Sequence, residues 1–157
     1  MKEQTCCFSG HRILPEPLKM HISNILAVRI LNLIDRGITT FICGGALGFD
    51  TLAALTVLKV RIFYPQIRLI LALPSPEQPF GWHKKDIKLY QNILNQANEI
   101  VYMAQEYHGG CMHMRNQYMV NHSAYCICYM LKNTGGTAYT VQYAQKQHLH
   151  IYNIATE

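Results

Sequence analysis

Two glycine-rich turns carry the residue types best suited to holding an anion. The first, Gly44-Gly45-Ala46-Leu47-Gly48-Phe49-Asp50, follows the apolar run Thr39-Thr40-Phe41-Ile42-Cys43. The second, Gly135-Gly136-Thr137-Ala138-Tyr139-Thr140, follows Ala124-Tyr125-Cys126-Ile127-Cys128-Tyr129. A strand that turns through glycines into a helix leaves backbone N–H groups facing open space at the positive end of the helix dipole, which suits a phosphate. Taken singly, either turn reads equally well as a tight βα connection without a ligand. Together they point to a nucleotide site built from both.

Residues near these turns add further chemistry. Asp50 falls in the first helical turn, where a carboxylate favours the dipole whatever its function. As a site residue it would accept ribose hydroxyls, because it would repel a phosphate. Thr137 and Thr140 offer hydroxyl donors, and Thr137 reads equally as a helix N-cap. His11-Arg12 forms a cationic pair after the first strand-like run. Arg115, followed by Asn116, lies among Met112, Met114 and Met119. A solvated surface position is its default, and a donor fork for phosphate or base is the functional alternative. Trp82, the one tryptophan, stands in the Pro74–Trp82 loop, where it would stack on a base or anchor the loop. No nucleophile–base set is visible.

These residues need elements to position them. Strand-like runs at Thr5–Phe8, Phe41–Cys43, Arg68–Leu73, Glu99–Met103, Ala124–Tyr129 and Leu149–Ile154 alternate with helix-like stretches. The helical stretches cover Pro17–Arg36, Leu47–Phe63, Lys85–Ala97, Cys111–Val120 and Tyr139–Gln147. In the first of these, Leu18, Ile22, Ile25, Leu26, Ile30, Leu33 and Ile34 recur at helical spacing, with Gly37 as the C-terminal stop. This alternation predicts an α/β, Rossmann-like three-layer fold, with a mostly parallel sheet and helices on both faces. Ligands of such sheets bind beyond the carboxyl ends of the strands, where both glycine turns, His11-Arg12 and the Trp82 loop fall.

Composition sets the limits. With 157 residues, half of them apolar, the chain is expected to form one domain over residues 1–157. Charged residues interrupt every long apolar stretch, and no signal-peptide core follows Met1, so a cytoplasmic protein without a membrane span is expected. The six cysteines lack disulfide or zinc spacing and read as buried thiols, so no metal is expected. A formal charge of +5 favours anionic ligands, but the basic residues are scattered.

Five motifs in order carry a family resemblance: Cys7-Phe8-Ser9-Gly10-His11-Arg12; Cys43 to Asp50; the loop with Gln78 and Trp82; Arg115-Asn116-Gln117-Tyr118-Met119-Val120; and Gly135 to Thr140. Together they resemble the SLOG superfamily, the Rossmann-like domains that include DNA-processing protein A and the LOG cytokinin-activating enzymes. The resemblance is to its bacterial YpsA-like branch. It implies a nucleotide-binding domain with a sensor or regulatory role, taking a nucleotide or an ADP-ribose-like ligand and no certain cofactor. The implied binding set is Gly10, His11, Arg12, Gly44, Gly45, Ala46, Asp50, Gln78, Trp82, Arg115, Asn116, Gly135, Gly136, Thr137 and Thr140. Many relatives dimerise, so a homodimer is implied as well.

Two alternatives follow from the relatives. The stretch Met112 to Met119 is similar to the Met-x-x-Arg-Lys-x-x-Met element of the LOG enzymes, which cleave nucleoside 5′-monophosphates, with Arg115 as the catalytic residue in that case. The glutamate those enzymes carry after the glycine–threonine turn is absent from Thr137-Ala138-Tyr139-Thr140-Val141-Gln142. Single-stranded DNA binding, as in DNA-processing protein A, is disfavoured because no basic cluster is evident.

Overall fold

The computed structural model describes residues 2–157. Strands β1 (Thr5–Gly10), β2 (Thr40–Cys43), β3 (Arg68–Leu73), β4 (Glu99–Tyr102), β5 (Tyr125–Tyr129) and β6 (His150–Asn153) form one sheet. Its order is β4-β3-β2-β1-β5-β6, and every neighbouring pair is parallel. Helices α1 (Lys19–Asp35), α2 (Phe49–Arg61), α3 (Lys84–Gln96), α4 (Cys111–Asn121) and α5 (Gly136–Lys146) make the crossovers. This is the α/β three-layer architecture read from the sequence.

Alternation along the strands sorts side chains into two cores. Cys6, Phe8, Phe41, Cys43, Leu69, Leu71 and Ile127 face the α1–α2–α3 side. Cys7, Ile42, Ala72, Cys126 and Cys128 face α4 and α5. The first core is bulky, with the Phe8 and Phe41 rings stacked at 6.1 Å. The second is thin and rich in thiols. All six cysteines are buried and reduced, and Cys7 lies directly opposite Cys126 in register. Burial pushes the Cys6 and Cys43 thiols well up from the usual range and carries Cys128 to about 12.

Helix α1 shows how the pattern produces the element. Ile22, Leu26, Ile30 and Leu33 are its buried residues, one apolar stripe over about three turns. Gly37, at φ +95°, then reverses the chain in a left-handed conformation. Helix α5 begins at Gly136, ahead of the Tyr139 start expected from periodicity. The glycine turn winds directly into the first helical turn, so Thr137 and Thr140 are helical residues. No helix among the described residues is long and apolar enough to cross a membrane.

Strand order fixes where a site can form. From β1 the chain moves outward through β2 and β3 to β4, then returns to lay β5 on the other side of β1. The connections leaving β1 and β5 therefore diverge and open a crevice at the carboxyl end of the sheet. Residues 9–12 line one side of it, and the first turn of α5 lines the other.

Candidate functional site

The turn after β2 is closed from within. Gly48, at φ +78°, packs so tightly that an added Cβ would lie 2.3 Å from the Arg12 carbonyl oxygen. A Cβ on Gly44 would come within 2.7 Å of both Arg115 Nη1 and Asp50 Oδ2. Two amides of this turn already have partners. Phe49 N–H donates to the His11 carbonyl at 3.0 Å, and Ala46 N–H donates to Asp50 Oδ2 at 3.2 Å. The cationic and anionic side chains therefore converge on the Gly44 backbone, which only a glycine leaves exposed to them.

Arg115 is the buried charge of the site, with 4% of its surface exposed. Its Nη1 donates to the Gly44 carbonyl, and its Nε donates to Asn116 Oδ1 at 2.8 Å. Gln78 Oε1 lies 3.5 Å from Nη1. Burial lowers the pKa of Arg115 and the Asp50 charge opposes that. Burial also raises the pKa of Asp50, against the pull of Arg115. Burial penalises each charge and the other charge offsets part of that penalty, the electrostatic pattern typical of functional sites. The solvated arginine expected by default is thus a buried fork with four polar neighbours.

The turn after β5 is open. Its N-cap, Gly135, provides no side-chain cap for α5, so the first amides of the helix have no such acceptor. At Gly136 nothing lies within 4 Å of where a Cβ would stand. The Thr140 hydroxyl donates back to the Gly136 carbonyl at 3.0 Å. Thr137 is 9% exposed and lines the crevice.

Between these turns lies a polar cavity of about 360 Å³. Ser9, Gly10, His11 and Arg12 form its β1 side, and Ala46 and Asp50 its β2 side. Arg115, Asn116 and Met119 come from α4, and Gly136, Thr137 and Thr140 from α5. His11 Nε2 accepts the Leu131 N–H at 3.0 Å, so the neutral ring carries its proton on Nδ1. Burial lowers the pKa of His11, and the Lys132 charge adds to that.

A second cavity of about 380 Å³ adjoins the first and shares Arg12 and Ala46 with it. Its walls are Leu47, Glu77, Gln78, Phe80, Trp82, Tyr107 and Met112. Trp82 meets the Tyr90 ring edge-on at 5.3 Å, and Tyr107 N–H donates to Glu77 Oε1 at 2.6 Å. Trp82 thus anchors the loop and also faces a cavity.

A family model, described as the YspA SLOG family (YpsA), matches residues 15–156. The chain belongs to this family. It is similar to the prophage-derived protein YoqJ of Bacillus subtilis, at 31% identity over 121 residues, covering 69% of this chain and 71% of YoqJ. A UPF0398 protein of Halalkalibacterium halodurans is 28% identical over 130 residues, covering 81% of this chain and 69% of that protein.

Solved structures share the fold. DNA processing protein A from Helicobacter pylori, described as binding single-stranded DNA, superposes with a TM-score of 0.68 at 21% identity over 96% of this chain. DNA processing protein A from Streptococcus pneumoniae gives 0.70 at 14% identity, also over 96%. This chain spans 64% and 50% of those two proteins.

Within this SLOG-family fold, ten of the residues named from sequence meet in the polar cavity: Gly10, His11, Arg12, Ala46, Asp50, Arg115, Asn116, Gly136, Thr137 and Thr140. Gln78 and Trp82 belong to the second cavity. Gly44 and Gly45 stand behind the wall, Gly44 as the acceptor for Arg115, and Gly135 is the cap residue before α5. Sequence reasoning missed Ser9, Glu77, Phe80 and Tyr107. For Glu77, Phe80 and Tyr107 exposure on loops was the one available signal, shared by many other loop residues, and Ser9 lies at the end of β1.

Proposed function

We propose that the protein binds a nucleotide or nucleotide-derived ligand, in a sensor or regulatory role, with a phosphate at the first turn of α5. The observation that carries this reading is the contrast at that turn. An uncapped helix N-terminus and a glycine with open space at its Cβ position border a cavity that also contains Arg12 and Arg115. Asp50 and Asn116, across the cavity, are placed to accept and donate at sugar hydroxyls. Calorimetry with inorganic phosphate and AMP tests this. Both are expected to bind, and Thr137→Val is expected to weaken both by roughly threefold to tenfold, the scale of one lost hydrogen bond. Absence of binding at millimolar concentration would overturn the reading.

One observation favours a second reading, hydrolysis of a nucleoside 5′-monophosphate. The carboxylate missing after Gly135-Gly136-Thr137 has a counterpart in the same cavity, Asp50, whose pKa is raised by burial. Incubation with AMP would then release free adenine, and Asp50→Asn would stop the release. No free base from wild-type protein would end this reading.

A further inference from the structure

The amino ends of the strands lie on the far side of the sheet from the cleft that the two cavities form. There a projecting turn joins α2, which ends at Arg61, to β3, which begins at Arg68. Ile62 is 75% exposed in this turn and Phe63 is 77% exposed. Leu55, two turns back on the same face of α2, is exposed as well. Isolated apolar side chains in water are ordinary on any protein. An adjacent pair on a fixed turn calls for a reason. The Phe63 and Tyr64 amides both donate to the Val60 carbonyl at 3.0 Å, and the Ile67 amide donates to the Tyr64 carbonyl at 3.1 Å. Tyr64 and Ile67 pack into the core. The backbone is thus anchored, and Ile62 and Phe63 are the residues it turns outward.

Cations surround this tip. Lys59 is exposed. Arg61 Nη1 donates to Asn98 Oδ1 at 2.7 Å, a neutral partner that leaves the charge uncancelled. Arg68 pairs with Glu99 at 3.6 Å. Between Asp50 and Glu77 the sequence has no acidic residue. Lys59 and Arg61 suit the dipole at the end of α2, which accounts for the charges but not for the apolar side chains beside them. Apolar side chains at a tip, ringed by cations, match a surface that is negative at its boundary and apolar beneath.

A protein partner fits the tip less well. A second copy related by a two-fold axis through the tip would bring Lys59, Arg61 and Arg68 close to their own counterparts. A stable protein interface also buries about 1,000 Å² or more, well beyond what two side chains on a projecting turn provide.

We infer that the protein docks peripherally on an anionic lipid surface through the Ile62-Phe63 tip. Ile62 and Phe63 enter the headgroup boundary, Lys59 and Arg61 meet the anionic headgroups, and the cleft faces away from the bilayer. The protein lies on one leaflet, and no helix among the described residues is suited to cross it. This docking goes beyond the phosphate reading and does not depend on it.

Cosedimentation with lipid vesicles tests the inference. The protein is expected to bind vesicles made of equal parts phosphatidylcholine and phosphatidylglycerol, and to leave phosphatidylcholine vesicles unbound. Binding should fall steeply at about 0.5 M salt. Phe63→Ser should weaken it about tenfold, and Lys59→Ala about fivefold. Both positions are exposed, so thermal unfolding should be unchanged, and so should calorimetric binding of phosphate and AMP at the opposite end of the sheet. Phe63→Trp puts a reporter in the tip, and its emission should shift to shorter wavelength on the anionic vesicles. Three results would overturn the inference: equal or no binding to the two kinds of vesicle, unweakened binding by Phe63→Ser, or an unshifted Phe63→Trp emission. A concentration-dependent dimer that Phe63→Ser abolishes would assign the tip to a second copy instead. Vesicle binding without phosphate binding would leave this inference standing and end only the phosphate reading.

Discussion

In the turn after β2 each glycine answers to a neighbour inside the protein, whereas in the turn after β5 Gly136 answers to none. Gly44 makes room for Arg115 and Asp50, and Gly48 makes room for the backbone of Arg12. The amides of Ala46 and Phe49 are engaged by Asp50 and His11. At α5 no side chain caps the helix, and the Cβ position of Gly136 faces open space. Similar sequences thus serve different ends. One turn organises charges and holds the wall in place, and the other leaves donors unclaimed beside a cavity. Glycine content cannot tell these apart, because close packing and ligand access both exclude a Cβ.

Substitutions can break this comparison. The largest effect is expected from Gly48→Ala, which combines a positive φ with a backbone clash. It should cost about 3 kcal/mol of folding stability, read as a clear fall in the denaturation midpoint. Gly136→Ala should behave in the opposite way. Stability should hold or rise slightly, since alanine is the better helix former, while phosphate affinity falls about tenfold as the methyl group enters the cavity. If Gly136→Ala unfolds the protein as readily as Gly48→Ala, the two turns are equivalent and the contrast fails.

A smaller effect sharpens the role of Asp50. Its folded pKa is raised mainly by burial, so ionisation penalises the folded state above that raised value. The penalty disappears as pH falls below the unfolded pKa, where the group is protonated in both states. Asp50→Asn should therefore raise the unfolding temperature at neutral pH. The gain should shrink as pH falls through the raised Asp50 value. A gain independent of pH would mean that packing, and not charge, is responsible.

The sequence was most informative where periodicity and punctuation agreed. Strands and helices fell where alternation or helical spacing placed them, because burying one apolar face is what most strongly favours both. The start of α5 was misplaced since glycines normally signal a break, and only tertiary context shows Gly136 already helical. The burial of Arg115 was hidden for a related reason. Its Gly44 acceptor lies 71 residues away in sequence, and no local pattern announces such a contact. Tyr107 and Phe80 entered the cleft through the meeting of loops, which composition does not encode.

The thiol-rich sheet has a consequence for how the molecule can be timed. Cys6, Cys7, Cys43, Cys126 and Cys128 are locked into the central strands β1, β2 and β5. Burial holds Cys128 as high as about 12 and pushes the Cys6 and Cys43 thiols well up, which makes all three poor nucleophiles. A thiol reagent in neutral buffer must therefore wait for the middle of the sheet to separate. Its reaction at these strands becomes a clock for global opening, read from the native protein without denaturant.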